Sequence, residues 1–130
     1  MARAATRHLA RRIASEHRMI DCQSLLCVIE PMDMRRGADG LSTWIQVQLG
    51  QTPAAGTGFI FTNKPRTRLK LVVWDGNGVW LCMRRLHKGS FVWPKRGDST
   101  FELTQDEWHW LIQGVDWQRL SAQLPDGWRM

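Results

Sequence analysis

Two periods run along this chain. Between residues 58 and 86 apolar residues alternate with polar or basic ones, the period-two mark of half-buried strands. The run GFIFT at 58–62 predicts one strand, and the basic turn Asn63-Lys64-Pro65-Arg66-Thr67 follows it. Residues 68–94 then read as a β-meander: two strands joined at Gly76-Asn77-Gly78, and a third after Lys88-Gly89. Shorter apolar runs predict strands at 24–31, ended by Pro31, and at 99–103.

The second period is helical. Met34, Ala38, Leu41, Ile45 and Leu49 predict a helix over 34–49, with Asp33 as N-cap and Gly50 as the stop. Gly37 and Gly40 inside it each cost about 1 kcal/mol relative to Ala. Either something approaches that face closely or the helix begins late. Near the end of the chain, Thr104 and Glu107 have the spacing of a capping box. Trp108, Leu111, Ile112 and Val115 make the buried stripe of the helix it opens. From Asp116 the chain reads as a turn-rich end that docks through Trp117 and Leu120. Residues 19–130 therefore predict one α+β domain, a small antiparallel β-meander sheet packed by two helices.

Parity sorts the hairpin. A two-residue turn puts Leu69, Leu71 and Val73 on one face with Trp80, Cys82, Arg84 and Leu86. The other face carries Arg68, Lys70, Val72 and Trp74 with Val79, Leu81, Met83 and Arg85. The first is the more apolar and predicts the core. The second grades from cationic, at Arg68, Lys70 and Arg85, to apolar near the turn. Like charges side by side on a sheet repel, so this end calls for an anion or for solvent. Lys64 and Arg66 in the preceding turn and Lys88 in the next extend it. An ordinary solvated face with snorkelling stems is the competing reading.

Composition narrows the picture. Eight Trp without any Tyr is unusual, and eight indoles cannot all be core, because each N–H wants a partner when buried. Three cysteines with no Cys-x-x-Cys spacing fit a reducing cytoplasm and argue against a disulfide framework. No apolar run approaches the length that spans a membrane. The net charge of +6 is uneven. Residues 1–18 carry five Arg against Glu16, and the remainder is only mildly basic. That basic segment has three readings: a phosphate-binding arm, an Arg-rich transit peptide, or an extension upstream of an alternative start at Met19. It has too little apolar surface to fold alone, which favours the extension.

Candidate chemistry is ionic and not catalytic. Arg35 and Arg36 stand at a predicted helix N-terminus, where anions bind; local pairing with Asp39 is the alternative. Asp33, Asp39 and Asp75 fall on separate elements and read as caps and turn residues instead of metal ligands. His8, His17, His87 and His109 show no ligand spacing. Gly76-Asn77-Gly78 precedes a strand, so it is not a phosphate loop. Arg96-Gly97-Asp98 reads as a loop tripeptide. No nucleophile has a recognisable neighbourhood, and neither an enzyme nor a cofactor is expected.

Several pieces together resemble a known family. They are Pro31-x-Asp33-Met34-Arg35-Arg36-Gly37-x-Asp39-Gly40-Leu41, Phe59-Ile60-Phe61-x-Asn63, Lys70-Leu71-x-x-Trp74-Asp75-Gly76-x-Gly78 and Arg85-Leu86-x-x-Gly89-x-Phe91-x-Trp93-Pro94. In order and spacing they resemble the small accessory protein, called TnpB or Orf2, of the IS sixty-six family of bacterial insertion sequences. The resemblance covers about residues 24–117 and begins soon after Met19, in keeping with the extension reading. His87 stands where the family usually has an acidic residue, and Pro65 and Thr67 interrupt a run that is more basic in the family.

The resemblance implies a non-catalytic helper encoded beside a separate transposase, acting through DNA or through the transposase. With the charge pattern, it leads to the expectation of a cytoplasmic, nucleic-acid-binding accessory protein of transposition. Arg35, Arg36, Lys64, Arg66, Arg68, Lys70, Arg84, Arg85 and Lys88 are the phosphate-contact candidates, and Trp74 is the stacking candidate. Parity places Arg84 on the core face, apart from the rest. The alternative is a protein-interaction module whose exposed Trp patch docks on the transposase, with DNA contact incidental.

Overall fold

The computed structural model describes residues 22–123 except 53 and 96–98. The basic segment 1–18 and the Arg96-Gly97-Asp98 tripeptide lie outside the described residues. The elements are β1 (Ser24–Val28), α1 (Ala38–Leu49), β2 (Thr57–Thr62), β3 (Arg68–Trp74), β4 (Val79–Arg85), β5 (Thr100–Leu103), α2 (Gln105–Ile112) and α3 (Trp117–Gln123). The strands form one sheet in the order β4-β3-β2-β1-β5. The fold is α+β, as the periods predict.

The antiparallel expectation holds for β2-β3-β4 and for β1-β5, whereas β1 and β2 run parallel, with Ser24 opposite Thr57. A parallel pair needs a crossover, and α1 supplies it by carrying the chain from the end of β1 back to the start of β2. The meander's third strand is therefore β2, on the near side of β3. Residues 91–94, expected as a strand, make none. They run through the core instead, with Phe91 and Trp93 buried and the Trp93 indole donating to the Val28 carbonyl at 2.9 Å.

Helix α1 begins late, at Ala38 and not at Met34. Asp33 is the cause. Its carboxylate accepts from the Arg35 amide at 2.9 Å and its carbonyl accepts from the Arg36 amide at 3.2 Å, which closes a separate turn before the helix. Gly37 takes the N-cap position without a side-chain cap, and Gly50 ends the helix in the left-handed conformation at φ 65°. The capping box of α2 forms as expected. Thr104 Oγ1 accepts from the Glu107 amide at 3.1 Å, and Glu107 Oε1 accepts from the Thr104 amide at 2.9 Å. That helix stops at Ile112, so Val115 lies beyond it, exposed. The turn-rich end forms a short helix, α3, whose Trp117 is buried as predicted.

The sheet is covered on both sides. Leu25, Cys27, Ile60, Leu69, Leu71 and Val73 pack with Trp108, Leu111 and Trp117 of α2 and α3. Val28, Phe59, Phe61 and Val72 pack with Leu41 and Ile45 of α1. Only the first layer follows from the hairpin's parity. The second exists because the crossover lays α1 over the face that the sequence offers as solvated. Of the indoles, Trp93 and Trp117 are buried with their N–H groups bonded to backbone carbonyls. Trp80 is 40% exposed.

Candidate nucleic-acid interface

Hairpin β3–β4 adopts the predicted register: Arg68 lies opposite Arg85, Lys70 opposite Met83, Val72 opposite Leu81 and Trp74 opposite Val79. Gly76 carries the positive φ, 95°, that the first central position of a primed turn demands. Asp75 fixes this turn. One carboxylate oxygen accepts from the amides of Asn77 at 2.9 Å and Gly78 at 2.8 Å, and the other from the Trp80 indole at 2.9 Å. Those bonds, the backbone ones first, hold its carboxyl below the usual range.

The far end of the hairpin gathers cations. Asn63 Oδ1 accepts from the amides of Thr67 at 2.9 Å and Arg68 at 3.1 Å, so the β2–β3 turn is firmly shaped. Arg66 holds a left-handed φ of 60° within it. The Leu86 amide donates to the Thr67 carbonyl at 3.0 Å and the Phe91 amide to the Arg66 carbonyl at 2.7 Å. These ties bring the segment bearing Lys88 against the turn bearing Lys64 and Arg66, beside the Arg68–Arg85 pair. Among the described residues, none of these five side chains is in an ion pair.

Lys70 corrects the sequence reading. It is 8% exposed, and its ammonium donates to the carbonyls of Met34, at 2.5 Å, and Arg36, at 2.8 Å. It therefore fastens the turn before α1 onto β3 and is spent on the fold. Its strand position looked solvated because the carbonyls that capture it lie over thirty residues away. That anchoring sets Arg35 and Arg36 above the same region of β3. Arg35 pairs with Asp33 at 2.7 Å and not with Asp39, and its side chain is 92% exposed. The Arg35 hydrogen bonds hold the Asp33 carboxyl down at about 2 and raise the arginine in return.

Two further candidates leave the cationic end. Arg84 lies on the opposite face, where its Nε donates to the carbonyl of Ile112, the last residue of α2. There it complements the negative end of the helix dipole. Trp74 is half-buried, edge-on to Phe59 with ring centroids 5.8 Å apart, so it offers no open stacking platform. Its free margin lines an open cleft of about 430 Å³ with Asp39, Ser42, Gln46 and Val79. Among the described residues the exposed indole is that of Trp80, which sequence reasoning placed in the core layer. Parity gave its face correctly, but β4 is the sheet edge, and α2 and α3 do not extend over it fully. Among the described residues, no group of three His, Cys, Asp or Glu could hold a metal ion.

The geometry is that of a small α+β module with cations gathered at one sheet end and apolar side chains along one sheet edge. The chain belongs to the IS66 Orf2-like family, whose sequence profile matches residues 23–122. It is thus an insertion-sequence-associated accessory protein, from a family not known to be catalytic. Two Sinorhizobium fredii (strain NBRC 101917 / NGR234) proteins are similar to it. "Uncharacterized protein y4jC" is 32% identical over 76% of this chain and 85% of its own length. "Uncharacterized protein y4hO" is 33% identical over 66% of this chain and 75% of its own. No solved structure matches. Among the described residues, no helix is long and apolar enough to cross a membrane.

Proposed function

We propose that this accessory protein acts in transposition by binding DNA, without catalysis, through the cationic end of its sheet. Arg68 and Arg85, directly opposite on β3 and β4 and without an ion-pair partner among the described residues, carry this reading. Two arginines held side by side favour a bound anion that offsets their repulsion. Lys64, Arg66 and Lys88 extend the surface from the turns, and Arg35 and Arg36 from the segment that Lys70 anchors. Contacts of this kind track a phosphate backbone and carry no sequence information by themselves.

The test is the salt dependence of duplex binding by the full chain. Changing Lys64, Arg68 and Arg85 together to Gln removes three cations and leaves Lys70 in place. Affinity should fall, and the slope of log affinity against log salt should flatten by about two to three units. An unaltered slope overturns the reading.

The exposed apolar side chains of β4 favour a second reading, docking on the transposase. An apolar contact of that kind persists as salt rises, and the triple variant leaves it intact.

A further inference from the structure

Strand β4 is an edge strand of unusual character. Among the described residues it pairs with β3 alone, and every residue of the strand but Cys82 is exposed. Val79, Trp80, Leu81 and Met83 are among the large apolar side chains left open, Met83 at 65%. Proteins ordinarily blunt such an edge with charge, proline or a bulge along its length. Here the only charges are Arg84 and Arg85, at one end.

The phase of its hydrogen bonds is fixed at both ends of the hairpin. The Asp75 amide donates to the Gly78 carbonyl at 3.2 Å, and the Leu86 amide donates to the Thr67 carbonyl at 3.0 Å. Alternation along an antiparallel ladder then turns the N–H and C=O groups of Trp80, Cys82 and Arg84 towards β3. Those of Val79, Leu81, Met83 and Arg85 point outward.

We propose that the occupant of this edge is β4 of a second copy, antiparallel, with the two-fold axis at Cys82. In that register every outward residue meets an outward residue. Leu81 faces Met83, so the centre of the apolar row is paired with itself, and Val79 faces Arg85 at either end. On the other face Trp80 meets Arg84, a guanidinium against an indole, which is an attractive pair. Both side chains are already held in place, Trp80 by Asp75 and Arg84 by the Ile112 carbonyl. The charges select this arrangement. A parallel copy in register sets Arg84 and Arg85 beside their own counterparts. The antiparallel copy sends them to opposite ends of the joint. Two five-stranded sheets thereby become one, with α1 of both copies on the same side.

The two Cys82 residues would face each other in a non-hydrogen-bonded pair, with Cα atoms about 4.5 Å apart, within the range a disulfide spans. The other cysteines, Cys22 and Cys27, are buried. The full chain, without nucleic acid, should sediment as a dimer. Brief treatment with copper-phenanthroline should yield one covalent dimer on a non-reducing gel, and Cys82→Ser should abolish it. Met83→Lys, at an exposed site, should weaken the dimer dissociation constant about tenfold or more, with the circular dichroism spectrum unchanged. A monomeric mass throughout the concentration series overturns the proposal and hands the edge to another protein, the transposase first. A dimer that does not cross-link through Cys82 and does not respond to Met83→Lys overturns it as well, by placing the interface elsewhere.

Discussion

Strands β3 and β4 are neighbours of equal length and similar composition, yet they live in different environments. Each has seven residues and mixes aliphatic side chains with a tryptophan and basic residues. In β3 the five central residues are buried on both faces. In β4 only Cys82 is even half-buried. Neither strand's own pattern decides this. β3 has a strand on either side and helices above and below, whereas β4 is last in the sheet. A lysine in the first strand becomes a structural tether, while Arg85 in the second stays available.

Truncations should break the comparison most sharply. Leu71→Ala empties a site with no exposure and should cost about 2–5 kcal/mol in denaturant unfolding. Leu81→Ala, one residue from Cys82, the cross-strand partner of Leu71, should cost the monomer no more than about 0.5 kcal/mol. Equal losses would mean that β4 is covered in the monomer.

The cations give the next contrast. Lys70→Met keeps the stem and strands two carbonyls, so about 1–3 kcal/mol of stability should go, with faster amide exchange around residues 34–37. Arg85→Met should leave stability within about 0.5 kcal/mol and lower DNA affinity. A destabilising Arg85→Met with a silent Lys70→Met would reverse the roles assigned to them.

The smallest effect concerns acid. The carboxyls of Asp33 and Asp75 are depressed in the folded chain, so their stabilising contribution is present above the ordinary value of 3.8 and is lost as pH falls through the folded one. For Asp33 that window runs from near 3.8 down to about 2. Asp75→Asn retains a carbonyl for the two turn amides but gives up the Trp80 indole bond, and it should flatten the fall in melting temperature below pH 4.

What was legible in the chain was local. The hairpin register followed from a two-residue turn, and the α2 capping box from a three-residue spacing. The late start of α1 was one of two outcomes that Gly37 and Gly40 allowed. What stayed hidden was set by partners distant in sequence. Nothing near Lys70 announces the Met34 and Arg36 carbonyls, and nothing in β4 says that no strand follows it in the sheet. Trp74 and Trp80 sit on opposite faces by parity, yet exposure reversed their expected parts because α1 shelters one and the sheet edge bares the other. Residues 91–94 alternate like a strand but find no ladder to join.

The place of β1 has a consequence for synthesis. Among the described residues it is the first strand translated, and its neighbours in the sheet are β2 and β5, the latter ending at Leu103. On the ribosome, β2, β3 and β4 can zip together by short turns as soon as they emerge. β1 can join β2 once α1 has formed, but its other side stays open until the last strand arrives. A nascent chain halted before residue 100 therefore carries a second unsatisfied sheet edge, formed by SLLCV, at the moment when association is most hazardous.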